Sequence, residues 1–161
     1  SIFGITGNKK GGYQVDNLID KLNFILGKNQ LQCVVIVGAG HIGSALMKYQ
    51  GFEKEGIKIM AGFDIDPAKQ NRNSPIPVLP LEELRGFVKA NNIKIGIIAV
   101  PDLAAQQAAD ILVQAGVKGI LNFAPIRLRA SEEVTINNVN LELELENVIY
   151  FVNTQSKILN K

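Results

Sequence analysis

The sequence predicts an α/β fold in which helices cover both faces of a parallel sheet. Two observations predict it. Short apolar runs bounded by turn residues alternate with segments whose apolar residues recur every three or four positions, as strands and crossover helices do. The first apolar run, which ends at Val37, also leads directly into glycines spaced G-x-G-x-x-G. This strand-turn-helix pattern is typical of a Rossmann-like sheet.

Composition limits the architecture to one core. The chain has 161 residues, of which 47% are apolar and 20% charged, and its net charge of +2 indicates no particular partner. The single cysteine, Cys33, excludes a disulfide framework and a multi-thiolate metal site, and we expect it to be a small buried hydrophobe. No apolar run is long enough for a membrane span and no leader is recognisable, so we expect a soluble cytoplasmic protein. A first residue Ser1 rather than Met is consistent with a fragment of a longer protein.

The N-terminal part is predicted to contain little structure of its own. Residues 1–12 are rich in glycine and indicate two short extended pieces joined by a tight turn. From Val15 to Leu26, apolar residues recur at helical spacing, and Gly27 can end the helix. We interpret this helix as a connector.

The central part alternates strands and helices. The apolar runs predict five strands: Cys33–Val37, Ile57–Phe63, Ile95–Val100, Val117–Phe123 and Val134–Val139. The helical segments are a first helix from Ile42 that includes Tyr49 and ends at Gly51, a second over Leu81–Ala90 after the proline-rich residues 74–80, and a third over Leu103–Gln114. Asp102 is expected to cap the third helix, and Gly116 to end it.

The C-terminal segment is compatible with a strand or a helix. Over Leu141–Glu146, leucine and glutamate alternate as in a half-buried strand. A longer window favours a helix over Leu141–Asn153, because its main apolar residues fall on one helical stripe. Leu143 and Tyr150 lie off that stripe. A helix that is apolar on more than one side either packs against a partner subunit or packs on its own domain, and the sequence leaves both open.

The glycine turn predicts a dinucleotide site. Gly38 permits the turn, Gly40 lets a pyrophosphate approach the backbone, and Gly43 lets the helix pack close to the strand. The amide groups from His41 onward would then donate to the phosphates. The alternative is a strand-turn-helix with a structural role only.

The second strand ends in an acidic residue at the expected distance from the glycines. Asp64 follows Gly43 by about twenty residues, where a carboxylate accepts hydrogen bonds from the adenosine ribose and repels a 2′-phosphate. NAD(H) is therefore favoured over NADP(H), although Lys69 and Arg72 could soften that discrimination. Asp66, before Pro67, is interpreted as a cap or turn residue.

Two later strands end at the same edge of the predicted sheet, and the residues at their ends can line a site for a nicotinamide or a ribose. They are Ala99-Val100-Pro101-Asp102 and Asn122-Phe123-Ala124-Pro125. The alternative is that the prolines there have only a structural role in the loops.

A side chain that could act as a general acid or base beside the nicotinamide is harder to identify. His41, the only histidine, lies in the phosphate loop, and Tyr49 is equally compatible with a place beside a ligand and with a core or interface position. The chain is predicted to bind the cofactor without using it as an enzyme would.

Longer segments resemble the redox-sensing transcriptional repressors called Rex. The matching positions are 1–4, Gly7, 10–13, 34–46, 49–52, 62–67, 100–101, 104–106 and 116–125. The most particular are Tyr49-Gln50-Gly51-Phe52 and Gly119-Ile120-Leu121-Asn122-Phe123-Ala124-Pro125.

The resemblance implies a sensor of the NADH-to-NAD ratio that NADH releases from operator DNA. It implies a homodimer through an exchanged C-terminal helix, no metal and no membrane, with DNA bound only by the full-length protein. The implied parts are a winged-helix remnant (the wing) at 1–14, a connecting helix at 15–30, a Rossmann NAD(H)-binding domain at 31–139, and a dimerisation helix and tail at 140–161.

The cofactor-binding residues are expected to be Gly38, Ala39, Gly40, His41, Ile42, Gly43, Tyr49, Asp64, Ile65, Ala99, Val100, Pro101, Asn122, Phe123 and Ala124. Within the resemblance, Tyr49 aligns with a tyrosine near the nicotinamide that makes a redox-dependent polar contact. Asn140 replaces the aspartate of that contact, and Leu141 stands where an aromatic residue can cover the nicotinamide. Two alternatives are a CoA-binding domain of the succinyl-CoA synthetase type and a fragment of an NAD-dependent oxidoreductase.

Overall fold

The computed structural model describes residues 17–19, 21–22 and 31–159. Six strands form one sheet in the order β3-β2-β1-β4-β5-β6, and the strand pairs with a given register (β1–β4, β2–β3, β4–β5 and β5–β6) are parallel. The strands are β1 Gln32–Val37, β2 Ile57–Asp64, β3 Val78–Pro80, β4 Ile95–Ile98, β5 Gly119–Asn122 and β6 Thr135–Asn138. The helices are α1 His41–Lys48, α2 Gly51–Lys54, α3 Leu84–Ala90, α4 Asp102–Gln114 and α5 Leu141–Leu159, with 3₁₀ turns at Pro67–Lys69 and Leu81–Glu83.

The chain divides into two compact units. The first contains the described residues up to Cys33 together with Tyr49–Lys58. Within it, residues 17–19 and 21–22 are helical, and the rings of Tyr49 and Phe52 meet edge to face with centroids 4.8 Å apart. The second unit, Val34–Lys48 with Ile59–Lys161, contains most of the sheet and every feature of the site described below.

The core of the second unit lies on both faces of the sheet, as continuous apolar strands require. Val35, Ile36, Phe63 and Ile98 are completely buried in neighbouring strands. Helix α4 covers the sheet closely, since a Cβ added to Gly96 would lie 2.8 Å from the nearest methyl of Leu112. Small side chains on one face of that helix complete the contact: Ala105, Ala108 and Ala109.

The fold class is confirmed, but two elements differ from the sequence-based expectation. Strand β3 was not predicted, because its prolines read as loop; Val78 nevertheless pairs with Gly62, and an edge strand tolerates a terminal proline such as Pro80. Helix α1 ends at Lys48, and Gly51 begins α2 instead of ending α1. Tyr49 therefore follows the first helix rather than lying on it.

Smaller differences concern ends and caps. Asp102 is the first residue of α4 and not its cap, which is Pro101. Strands β4 and β5 end earlier than predicted, because the chain leaves the sheet there to form a cleft, and α5 continues to Leu159. Cys33 is half-buried rather than buried. The predicted wing at 1–14 lies outside the described residues, as does most of the connecting helix at 15–30.

Candidate functional site

A cleft of about 620 Å³ opens at the carboxyl ends of β1, β2, β4 and β5. This is the edge at which open α/β sheets bind ligands. The cleft is mostly apolar and crosses four neighbouring strands, roughly 14 Å at the usual strand spacing. Its lining residues are Val37, Gly38, Gly40, His41, Ile42, Phe63, Asp64, Ile65, Asp66, Lys69, Leu81, Ala99, Val100, Pro101, Ala104, Gln107, Ala108, Phe123 and Pro125.

Two glycines leave no room for a Cβ, one in the turn between β1 and α1 and one within α1. Gly38 has a φ of +106°, its N–H donates to the carbonyl of Phe63 at 2.7 Å, and a Cβ there would lie 2.5 Å from the carbonyl oxygen of Ala99. At Gly43 a Cβ would lie 1.8 Å from the Gly38 carbonyl oxygen. The expected close packing of the helix against the strand is therefore observed.

Gly40 has a different role, because it faces open space. The nearest atom to a Cβ added there is the Lys69 Nζ, at 3.9 Å. The Ser44 N–H donates to the Gly40 carbonyl at 2.9 Å, which closes the first turn of α1. The amides before Ser44 have no acceptor within the helix and carry its positive end. A bare backbone with free donors at the cleft suits an anion.

Asp64 is held at the tip of β2 by two backbone groups. Its Oδ2 accepts from the Ala39 N–H at 2.8 Å, and its Oδ1 accepts from the Asp66 N–H at 2.9 Å. Each carboxylate oxygen can accept a further hydrogen bond. The half-buried carboxylate is therefore fixed in orientation and still able to bind a hydroxyl.

The two cations after β2 are placed differently. Lys69 lines the cleft and forms no ion pair with the described residues. Arg72 instead pairs with Glu83, and the side-chain hydrogen bond and charge of Glu83 raise the pKa of Arg72. The expected role of Asp66 is observed, since its Oδ1 accepts from the Ala68 N–H at 3.0 Å and caps the following 3₁₀ turn.

The predicted site residues separate into three groups. Those that line the cleft are Gly38, Gly40, His41, Ile42, Asp64, Ile65, Ala99, Val100, Pro101 and Phe123. Those that shape it without lining it are Ala39, Gly43, Asn122 and Ala124. Tyr49 belongs to the first unit and is 60% exposed. As ligand contacts, all of them stay predictions.

Sequence reasoning missed one wall of the cleft. Ala104, Gln107 and Ala108 lie on the face of α4 that borders it. Their spacing of three and four residues was a usable signal, since such positions share a helix face. Lys69 was noticed for its charge, but its place in the cleft depends on the 3₁₀ turn of which it is the last residue.

The described residues contain neither a metal-binding cluster nor a membrane-spanning helix. Over residues 17–19, 21–22 and 31–159, no three histidine, cysteine, aspartate or glutamate side chains come close enough to hold a metal ion. None of the helices described has the length and apolar character needed to cross a membrane.

Comparison with known proteins gives consistent matches. Residues 29–126 match the family model described as the CoA binding domain. The redox-sensing transcriptional repressor Rex of Oenococcus oeni is 38% identical over 98% of this chain and 74% of its own length. Rex of Desulforamulus reducens is 47% identical over 89% of this chain and 69% of its own length.

Solved structures agree with these matches. The crystal structure of RSP with β-NAD⁺ and operator DNA has a TM-score of 0.82 and 36% identity, and it covers 91% of this chain and 68% of RSP. RSP in complex with β-NADH has a TM-score of 0.81, with coverage of 91% and 71%. RSP is a Rex-family repressor.

Proposed function

The chain belongs to the Rex family of redox-sensing transcriptional repressors, and we propose that it is the part of such a repressor that binds NADH and NAD and responds to their ratio. The observation that carries this proposal is the pairing of a bare glycine turn with a fixed carboxylate at one edge of the sheet. RSP has been solved with both redox forms of the dinucleotide, which supports it.

The residues present fit a dinucleotide. The open backbone at Gly40 and the first-turn amides of α1 accommodate the pyrophosphate. Asp64 accepts from the adenosine ribose hydroxyls, and Lys69 adds a positive charge near the phosphates. Phe123 and Val100, on neighbouring strand ends, supply apolar surface for the nicotinamide half.

The bound nicotinamide would supply a redox signal rather than a hydride for a substrate. The curated relatives are transcriptional repressors, and the prediction that the chain is not an enzyme follows the family. Its residues bind and orient the dinucleotide; none of those lining the cleft is required to move a proton. Regulation then depends on how the two redox forms change the protein.

DNA binding and dimerisation belong to the larger assembly. We propose that residues 1–14 are the end of a winged helix, that 15–30 connect it to the Rossmann domain at 31–139, and that operator DNA is bound only by the full-length protein. Helix α5, within residues 140–161, leaves all its large apolar side chains exposed, which supports a homodimer through an exchanged helix. Because the proposed target is operator DNA, we place the protein in the cytoplasm.

The switch itself has an unusual residue at its proposed centre. Asn140 caps α5, since its Oδ1 accepts from the Leu143 N–H at 3.0 Å. Asparagine caps a helix as well as aspartate does, but it provides no charge for the redox-dependent polar contact that the family resemblance implies. We therefore propose that the redox-dependent contact is weaker here, while cofactor binding is retained.

Titration of the chain with NADH and with NAD tests the proposal, with intrinsic NADH fluorescence and calorimetry as readouts. Tighter binding of NADH is expected. Equal and weak affinity for the two forms would contradict the role of a redox sensor.

The match to the CoA binding domain defines a second candidate, since residues 29–126 belong to that family. The Rex relatives extend over far more of the chain and favour the dinucleotide. A parallel titration with CoA separates the two, because saturable CoA binding without NADH binding would reverse this preference.

A further inference from the structure

The side chain of Asn122 is the most completely buried polar group described in the second unit. It lies at the last position of β5, and its exposed fraction is 0%. A buried carboxamide is costly unless its donors and acceptor are all used. Here all are used, and none is directed to the cleft surface.

One set of bonds shapes the cleft wall. The Asn122 Nδ2 donates to the carbonyls of Ala124 at 3.2 Å and Ile126 at 3.0 Å, and its Oδ1 accepts from the Ala124 N–H at 2.9 Å. These bonds fold the segment that places Phe123 and Pro125 against the cleft. The wall is thus set by a residue beneath it.

A second set of bonds reaches the start of α5. The same Nδ2 donates to the Asn138 Oδ1 at 2.9 Å, and the Asn122 carbonyl accepts from the Val139 N–H at 2.8 Å. The next residue, Asn140, caps α5. One buried side chain therefore joins the cleft wall to the β6–α5 junction.

We propose that Asn122 is a positioning residue that orients the Phe123–Pro125 wall and transmits contact of a ligand with that wall to the first turn of α5. This inference rests on the proposed binding of NADH in the cleft. Asp64 lies three strands from the wall, so a ligand confined to the adenosine end should leave α5 unaffected. Transmission requires a ligand that reaches Phe123.

Hydrogen–deuterium exchange of the chain, with NADH or ADP added, tests the transmission. NADH is expected to slow exchange at residues 123–126 and 140–146, and ADP at neither. In Asn138→Ala, which removes an exposed side chain, NADH should still slow exchange at 123–126 but not at 140–146. The matched control Asn137→Ala, on the same strand and without a bond to Asn122, should behave as the wild type.

Several outcomes would overturn the inference. The first is that NADH still slows exchange at 140–146 in Asn138→Ala. The second is that ADP slows exchange at those residues in the wild-type chain. The third is that NADH binds the wild-type chain without slowing exchange there. Absence of NADH binding, seen by fluorescence, would instead refute the proposed function and remove the basis of this one.

The positioning role has its own readout. In Asn122→Ala, NADH affinity should fall about tenfold while ADP affinity stays unchanged, because only the distal wall is disturbed. Equal losses for both ligands would contradict positioning. If this variant does not fold, the Asn138→Ala exchange result decides.

Discussion

Helices α4 and α5 resemble each other in sequence character but not in environment. Both contain apolar residues at helical spacing, and α4 buries one face of them, including Ala105 and Leu112. Helix α5 buries none. Ten large apolar side chains between Leu141 and Leu159 are at least half exposed.

The difference shows that one region buries its apolar side chains within a single chain and the other does not. The sheet with α4 and the glycine turn forms a core within one chain, since α4 buries its inner face and the described buried polar side chains all have hydrogen-bond partners. Helix α5 leaves ten large apolar side chains exposed along its length, a feature typical of surfaces that bind a partner. We therefore expect one copy of the chain to bind the cofactor and two copies to be needed to bury the apolar side chains of α5.

The largest expected effect comes from breaking the complete region. Gly43→Ala places a Cβ against the Gly38 backbone and should lower the free energy of unfolding by about 3 kcal/mol or more. Gly86→Ala is the control, because a Cβ there meets no atom within 4 Å and α3 should gain up to about 1 kcal/mol. Denaturant unfolding measures both, and equal effects would contradict the close packing of α1.

Breaking the incomplete region should change assembly and not the fold of the domain. Ile149→Asp should weaken association by about 2 kcal/mol or more per protomer, because it places a charge in an apolar interface. Leu103→Asp makes the same kind of change on α4 at a site 96% exposed and should leave the mass unchanged. Light scattering measures the mass, and a dimer that survives Ile149→Asp would show that α5 is not its interface.

A change at Asp64 should affect the ligand alone. Asp64→Asn keeps the size of the side chain and removes its charge, so NADH affinity should fall about tenfold and discrimination against NADPH should decrease. In Asp66→Asn the cap is retained, and NADH affinity should remain that of the wild type. Calorimetry with both cofactors measures this, and unchanged NADH affinity in Asp64→Asn would remove the ribose contact from the account.

The smallest effect is expected at the exposed cation of the cleft. Lys69→Gln should weaken NADH binding by roughly 0.5–1 kcal/mol, and the loss should shrink as salt is added. Arg72→Gln should have no effect, because Glu83 already pairs with Arg72. Fluorescence titrations at several ionic strengths distinguish the two. A larger loss for Arg72 than for Lys69 would reverse the assignment.

Local patterns predicted the parts of the molecule that depend on local chemistry. The glycine turn, the acidic strand end at Asp64 and the cap at Asp66 are all set by a few neighbouring residues. Strand β3 was missed because its prolines indicated a loop, whereas its three residues form a strand by pairing with Gly62–Asp64 of β2. Asn122 was expected to touch the ligand, but its bonds to Ala124 and Ile126 depend on how the following loop folds.

Sedimentation of the chain with NADH, followed at the absorbance band of reduced nicotinamide, tests the division of roles most directly. NADH is predicted to sediment with a species of twice the 17.5 kDa chain mass, and with the single chain in Ile149→Asp. Two results would contradict the account. One is that NADH does not sediment with the wild-type chain, and the other is that the chain no longer binds NADH once the dimer has dissociated.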